Sequence, residues 1–145
     1  MRVLGIDFGD KHIGLSISDP LQLTAQSFGK YTLRGKKKDR KYFQHFVAQY
    51  EISEIVIGLP LRMDGTPGTR VEKTKKFASW LEKTVGIPIV FWDERLTTKQ
   101  ALNIIRPQKM KSRSRKKIKD KISATIILAS YLENKRISSN DSEDH

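Results

Sequence analysis

The stretch "GIDFGDKHIGLSISD", Gly5 to Asp19, decides how the fold is read. Val3 to Phe8 is rich in β-formers, and Gly9-Asp10-Lys11 makes a short turn. His12 to Ser18 then alternates Ile13, Leu15 and Ile17 with smaller residues, so the segment reads as a β-hairpin. Asp7 interrupts the first of these strands. A carboxylate at the end of an apolar strand is costly unless something compensates it, so the rest of the chain must supply a partner.

Working outward, Ser27 to Leu33 reads as a third, more exposed strand. A basic turn, "RGKKKDRK", leads into Tyr42, Phe43, Phe46, Val47 and Tyr50 at helical spacing. Glu54 to Gly58 is a short buried strand, and "LPLRMDGTPGTR" is a loop marked by its prolines and glycines. A helix from Val71 to Thr84 precedes a strand from Ile87 to Trp92. Thr97 or Thr98 caps a short helix carrying Ala101, Leu102 and Ile105, which stops at Pro107. "QKMKSRSRKK" is expected as a mobile basic loop. The last helix is expected near Lys117 to Lys135, with Ile118, Ile122, Ile126 and Ala129 at helical spacing. These elements predict one α/β domain over 1–135, followed by a polar, disordered tail over 136–145. Antiparallel strands followed by strands alternating with helices give a mixed sheet with helices on both faces.

The charge narrows the partner. Lys and Arg number 28 against 16 Asp and Glu, a net charge of +12, which points to a polyanion and first of all to nucleic acid. No stretch approaches the ~20 apolar residues that span a bilayer, the first residues do not pattern as a signal peptide, and cysteine is absent. The expectation is a cytoplasmic protein with no membrane partner and no thiolate chemistry.

Three acidic positions stand out. Asp7 is in the first strand, Asp93 and Glu94 end "IPIVFW", and Asp120 stands among eight basic residues between Lys109 and Lys121. Strands joined through helices bring their carboxyl ends to one sheet edge. Carboxylates converging there suit Mg²⁺ or Mn²⁺, and the matching chemistry is phosphodiester hydrolysis, with one ion activating water and another stabilising the leaving oxygen. Taken singly, Asp7 is equally well a turn residue, Glu94 an ion-pair partner of Arg95, and Asp120 a charge-balancing residue on a basic helix. Phosphate contacts are expected from Arg62, from Lys11 and His12 in the hairpin, from Arg95, and from the basic run Lys109, Lys111, Arg113, Arg115, Lys116 and Lys117. "GIDFG" matches neither the dinucleotide fingerprint nor the P-loop.

Together "GIDFGDKHIGLSISD", "IVIGLPLRMDGTPG", "FWDERLTT" and "IKDKISATIILASYLE" resemble the YqgF family, also called RuvX, of the ribonuclease H-like nucleases. The resemblance runs from Arg2 to about Glu133. It implies a ribonuclease H-like fold with a five-stranded mixed sheet, and a nuclease that processes the 5′ end of pre-16S rRNA. Its catalytic and metal-binding acids fall on Asp7, Glu94 and Asp120. The alternative it carries is resolution of four-way DNA junctions, which needs two sites and predicts a homodimer rather than a monomer. A non-catalytic module that grips structured RNA is a further alternative. The chain has His12 where the family commonly has arginine, and Ser123-Ala124 where it commonly has two alanines.

Overall fold

The computed structural model describes residues 1–61, 68–106 and 115–143, with side chains described only over 123–139 in the last segment. Strands β1 (Arg2–Phe8), β2 (His12–Ser18) and β3 (Ala25–Thr32) are followed by helix α1 (Lys36–Gln49) and strand β4 (Ile52–Leu59). Helix α2 (Thr69–Val85), strand β5 (Ile89–Asp93), a 3₁₀ turn (Glu94–Leu96), α3 (Lys99–Leu102) and α4 (Arg115–Glu143) complete the order. The five strands form one mixed sheet in the order β3-β2-β1-β4-β5. β1, β2 and β3 are antiparallel neighbours, whereas β1, β4 and β5 run parallel. This is the mixed sheet that the strand pattern predicts, in the five-stranded form that the family resemblance implies.

Strand periodicity sorts the core into two layers. Leu4 and Ile6 of β1, Ile13 and Leu15 of β2, and Ile55 and Ile57 of β4 pack against Phe43, Phe46, Phe77 and Leu81 of α1 and α2. Val3 and Val56 face the other way, onto Ala101 of α3 and Ile127, Leu128 and Leu132 of α4. Gly5 lies on this second face. A Cβ there would clash with Ser16 Oγ and stand 2.8 Å from Leu128 Cβ, so glycine lets α4 settle directly on β1.

The direction of α4 follows from its contacts. Ser16 Oγ donates to the Ala124 carbonyl (2.7 Å) beside Gly5. Tyr131 Oη donates to Glu54 Oε1 (2.6 Å), and Glu54 pairs with Val3. Residues early in α4 therefore lie toward the carboxyl end of β1, and later ones toward its start.

The structure corrects four boundaries. The basic "KKKDRK" expected in a turn is the first part of α1, because the buried carboxylate of Asp39 accepts from Tyr31 Oη (2.6 Å) and Arg34 N (3.0 Å) and ties that turn to β3. Ile105 bridges to Ala25 of β3, because α3 ends at Leu102. Arg115 and Lys116 belong to α4 rather than to a loop. The same helix continues through 136–143 beyond its expected end at Lys135, and its run from 115 to 143 contains no glycine or proline to stop it. Among the described residues no helix is long and apolar enough to cross a membrane.

Candidate active site

Asp7 lies at the carboxyl edge of the parallel strands, on the α4 face it shares with Val3 and Gly5. In the register it pairs with Gly14 of β2, and Gly14 pairs with Lys30 of β3. On its other side Ile6 pairs with Ile57, so Asp7 neighbours Gly58 of β4. Asp7 is thus flanked across the sheet by two glycines, which leave the floor around its carboxylate open.

Gly58 makes room for the second acid. A Cβ built on it would be 2.8 Å from Glu94 Oε1 and 2.5 Å from Ile127 Cδ1, so the Glu94 carboxylate rests over a position that must have no side chain. Glu94 is delivered there by the 3₁₀ turn that begins where β5 ends. Its carboxyl is pushed above the ordinary 4.5, first by burial and then by the charge of Asp7, against the opposing pull of Arg70.

Asp7 and Glu94 line a cavity of about 420 Å³ together with Lys11, His12, Lys30, Arg70 and Ser123. Arg70 Nη2 donates to the Phe8 carbonyl (3.3 Å), which holds the guanidinium at the cavity wall. His12 is at the rim, its Nδ1 3.0 Å from Thr32 Oγ1. The lining combines three acids, Asp7, Asp10 and Glu94, with the cations Lys11, Lys30 and Arg70, a set that would suit a phosphate group beside carboxylates able to hold a hard cation.

Adjacent acids divide the work at the end of β5. Asp93, not Glu94, pairs with Arg95: Nη2 is 2.7 Å from Oδ2, and Nε and the backbone N donate to Oδ1 at 3.0 and 2.9 Å. These bonds hold the Asp93 carboxyl below its ordinary range and cap the 3₁₀ turn. Asp93 and Arg95 do not line the cavity.

The third expected acid, Asp120, is on the backbone of α4 one turn before Ser123, toward the carboxyl end of β1; its side chain lies outside the described residues. The same holds for the side chains of Arg115, Lys116 and Lys117. Arg62, Lys109, Lys111 and Arg113 lie outside the described residues altogether. Among the described residues no group of three potential ligands is gathered at one point. Sequence reasoning missed Gly14, Gly58, Lys30 and Arg70 as parts of the site. The first three are placed by strand register, and Arg70 by the position of α2, none of which a linear motif carries.

Comparisons with known proteins give the family and the fold. The family model described as "RuvX: Holliday junction resolvase" matches residues 1–134. A protein of Caldanaerobacter subterraneus is 46% identical over 139 residues, covering 94% of this chain and 99% of the relative. One from Koribacter versatilis is 40% identical over 136 residues, 94% and 89% of the two chains. Both are named "Putative pre-16S rRNA nuclease". Among solved structures, Thermus thermophilus RuvC in complex with a Holliday junction substrate superposes with a TM-score of 0.57 at 14% identity, covering 92% of this chain and 96% of that one. The Fowlpox virus resolvase with Holliday junction DNA gives 0.56 at 14% identity, covering 92% and 98%. These two structures share the fold.

Proposed function

The chain belongs to the RuvX family, and from that premise we propose that it is a divalent-cation-dependent nuclease that hydrolyses phosphodiester bonds. Its proposed substrate is the 5′ end of pre-16S rRNA, in the cytoplasm. One observation carries the reading. Glu94 is held over Gly58 beside Asp7, where burial and like charge both oppose its ionisation. Two carboxylates kept together at that cost fit a hard cation, which favours oxygen ligands and removes their repulsion.

Asp7 and Glu94, with Asp120 as the third ligand, would hold Mg²⁺ or Mn²⁺. The cation supplies Lewis-acid polarisation of the phosphoryl group and activation of water. The chain's own cations bind and orient the substrate. Arg70, Lys30 and Lys11 line the wall of the cavity, placed to neutralise phosphate oxygens beside the acids. Arg62, His12 and the basic run from Lys109 to Lys117 extend that contact along the polyanion, and predict binding that weakens steeply with salt. Arg95, paired with Asp93, holds the turn that presents Glu94.

The test is cleavage of a 5′-extended 16S precursor by the wild-type chain, Asp7→Asn and Asp120→Asn, with Mg²⁺ or Mn²⁺. Wild type cuts and both variants fail. A wild-type chain that cuts no nucleic acid, or an Asp7→Asn chain that cuts equally well, overturns the reading. The description of the family model favours a second reading, junction resolution. A four-way DNA junction in the same assay separates the two, and preferential cutting of the junction by a dimer would favour the second.

A further inference from the structure

The acidic cavity and a second groove share a lining residue. Phe8, next to Asp7 but on the opposite face of β1, lines both the cavity and a groove of about 330 Å³ between α1 and α2. That volume is at the small end of the roughly 300–1,000 Å³ of ligand sites. Its walls are aromatic: Phe8 stacks on Phe77 (centroids 4.7 Å, planes 23° apart), and Phe77 lies 5.8 Å from Trp80. Trp80 Nε1 is buried and, among the described residues, has no hydrogen-bond partner. Trp80 in turn lines a third concavity of about 400 Å³, shared with Arg40 and Lys83.

The rim of the groove is basic. Lys36, Lys73 and Lys76 line it, all exposed. Arg70, Lys73, Phe77 and Trp80 follow one another at helical spacing down one face of α2, so Arg70 at the cavity wall stands one turn before the α2 residues that line the groove. The acids nearby are already engaged: Asp39 accepts from Tyr31 and Arg34, and Asp10 lies 3.6 Å from Lys73 Nζ. Aromatic walls bounded by cations are the chemistry that holds unpaired nucleotides, bases stacking while phosphates meet the lysines.

We propose that the surface from Phe8 to Trp80 between α1 and α2 is a track for an unpaired nucleic-acid strand entering or leaving the acidic cavity. One base lodges in the Phe8–Phe77–Trp80 groove, with flanking phosphates on Lys36, Lys73 and Lys76. The proposal rests on the nuclease reading for its substrate class, but it concerns binding alone. It makes the preferred substrate a duplex with a single-stranded extension at the cut.

Binding is measured by fluorescence anisotropy with the full-length Asp7→Asn chain. The probes are an RNA duplex, the same duplex with an unpaired extension of about eight nucleotides, a length within the site sizes of single-strand binders, and matching DNA forms. The extension tightens binding, and one abasic position within it weakens binding roughly tenfold, as loss of a base–aromatic stack does. Lys36→Glu/Lys73→Glu/Lys76→Glu removes the gain and lowers the salt slope by about 2, at ~0.7 per phosphate contact. In a Trp92→Phe background the extension also quenches Trp80 emission. A triple variant that keeps the gain, equal losses on the blunt duplex and the extended one, or no abasic effect overturns the proposal. A chain that shows every binding effect while its wild type cuts nothing keeps the track and overturns the nuclease instead. Cleavage with no extension effect does the reverse.

Discussion

Gly58 and Glu94 share one volume: a Cβ on the glycine would stand 2.8 Å from Glu94 Oε1. The same Cβ would press Ile127 Cδ1 at 2.5 Å, so neither neighbour can be left in place. Gly58→Ala therefore displaces the carboxylate from Asp7 as well as overpacking the sheet against α4. Overpacking of this kind costs about 1–3 kcal/mol. Thermal unfolding should show that loss, while cleavage falls at least tenfold in samples that remain folded. A Gly58→Ala chain with unchanged activity would mean that Glu94 does not work from this position.

Glu94 also governs a pH dependence. Its folded pKa is raised above 4.5, so the folded chain holds that proton more tightly than the unfolded one. The stability linked to this proton is complete below the ordinary glutamate range and is lost as pH rises through the raised value. Glu94→Gln removes the ionisation, so the cation-free variant should unfold at a higher temperature than wild type at neutral pH. That advantage should shrink in acid. Cleavage should be lost in Glu94→Gln at every pH, and in wild type should rise with pH through the raised value, because a protonated carboxyl is a poor cation ligand.

Asp93 has the opposite linkage. Its carboxyl is held low, chiefly by the side chain of Arg95, so its contribution to stability is present above the ordinary aspartate range and is lost as pH falls through the lowered value. The pair is partly exposed, and Asp93→Asn should cost no more than about 1 kcal/mol. Its larger effect is to loosen the 3₁₀ turn that carries Glu94. Calorimetric titration of Mn²⁺ should show weaker binding by the variant, with little change in urea midpoint.

Tyr131 provides the structural control. Its hydroxyl donates to Glu54 Oε1 and fixes how far α4 lies along β1, far from the cavity. Burial and Glu54 hold the phenol well above its ordinary range, so it stays protonated as a donor. Tyr131→Phe should cost about 1–3 kcal/mol in denaturant unfolding, with cleavage per folded molecule unchanged.

Much of this molecule is readable in one dimension. The β1–β2 hairpin, the later strands and the helices between them are visible because apolar spacing has a period of 2 in strands and 3.6 in helices. Asp7 and Glu94 are visible for the complementary reason, as charges that interrupt or end apolar runs. The start of α1 was hidden because a cluster of lysines resembles a loop until the buried Asp39 ties the first turn to Tyr31 and Arg34.

Sequence alone determined which strands exist, which acids end them, and that the partner is a polyanion, since local spacing and net charge are properties of the chain. Only the tertiary structure decided that Gly14 and Gly58 flank Asp7, that Arg95 takes Asp93 and leaves Glu94 to the cavity, and that Phe8 joins that cavity to the groove beneath Trp80. Those relations depend on strand register and helix phase. A shift of one residue in register would turn Asp7 to the opposite face of the sheet, and nothing within "GIDFG" encodes which residue of β4 lies beside it.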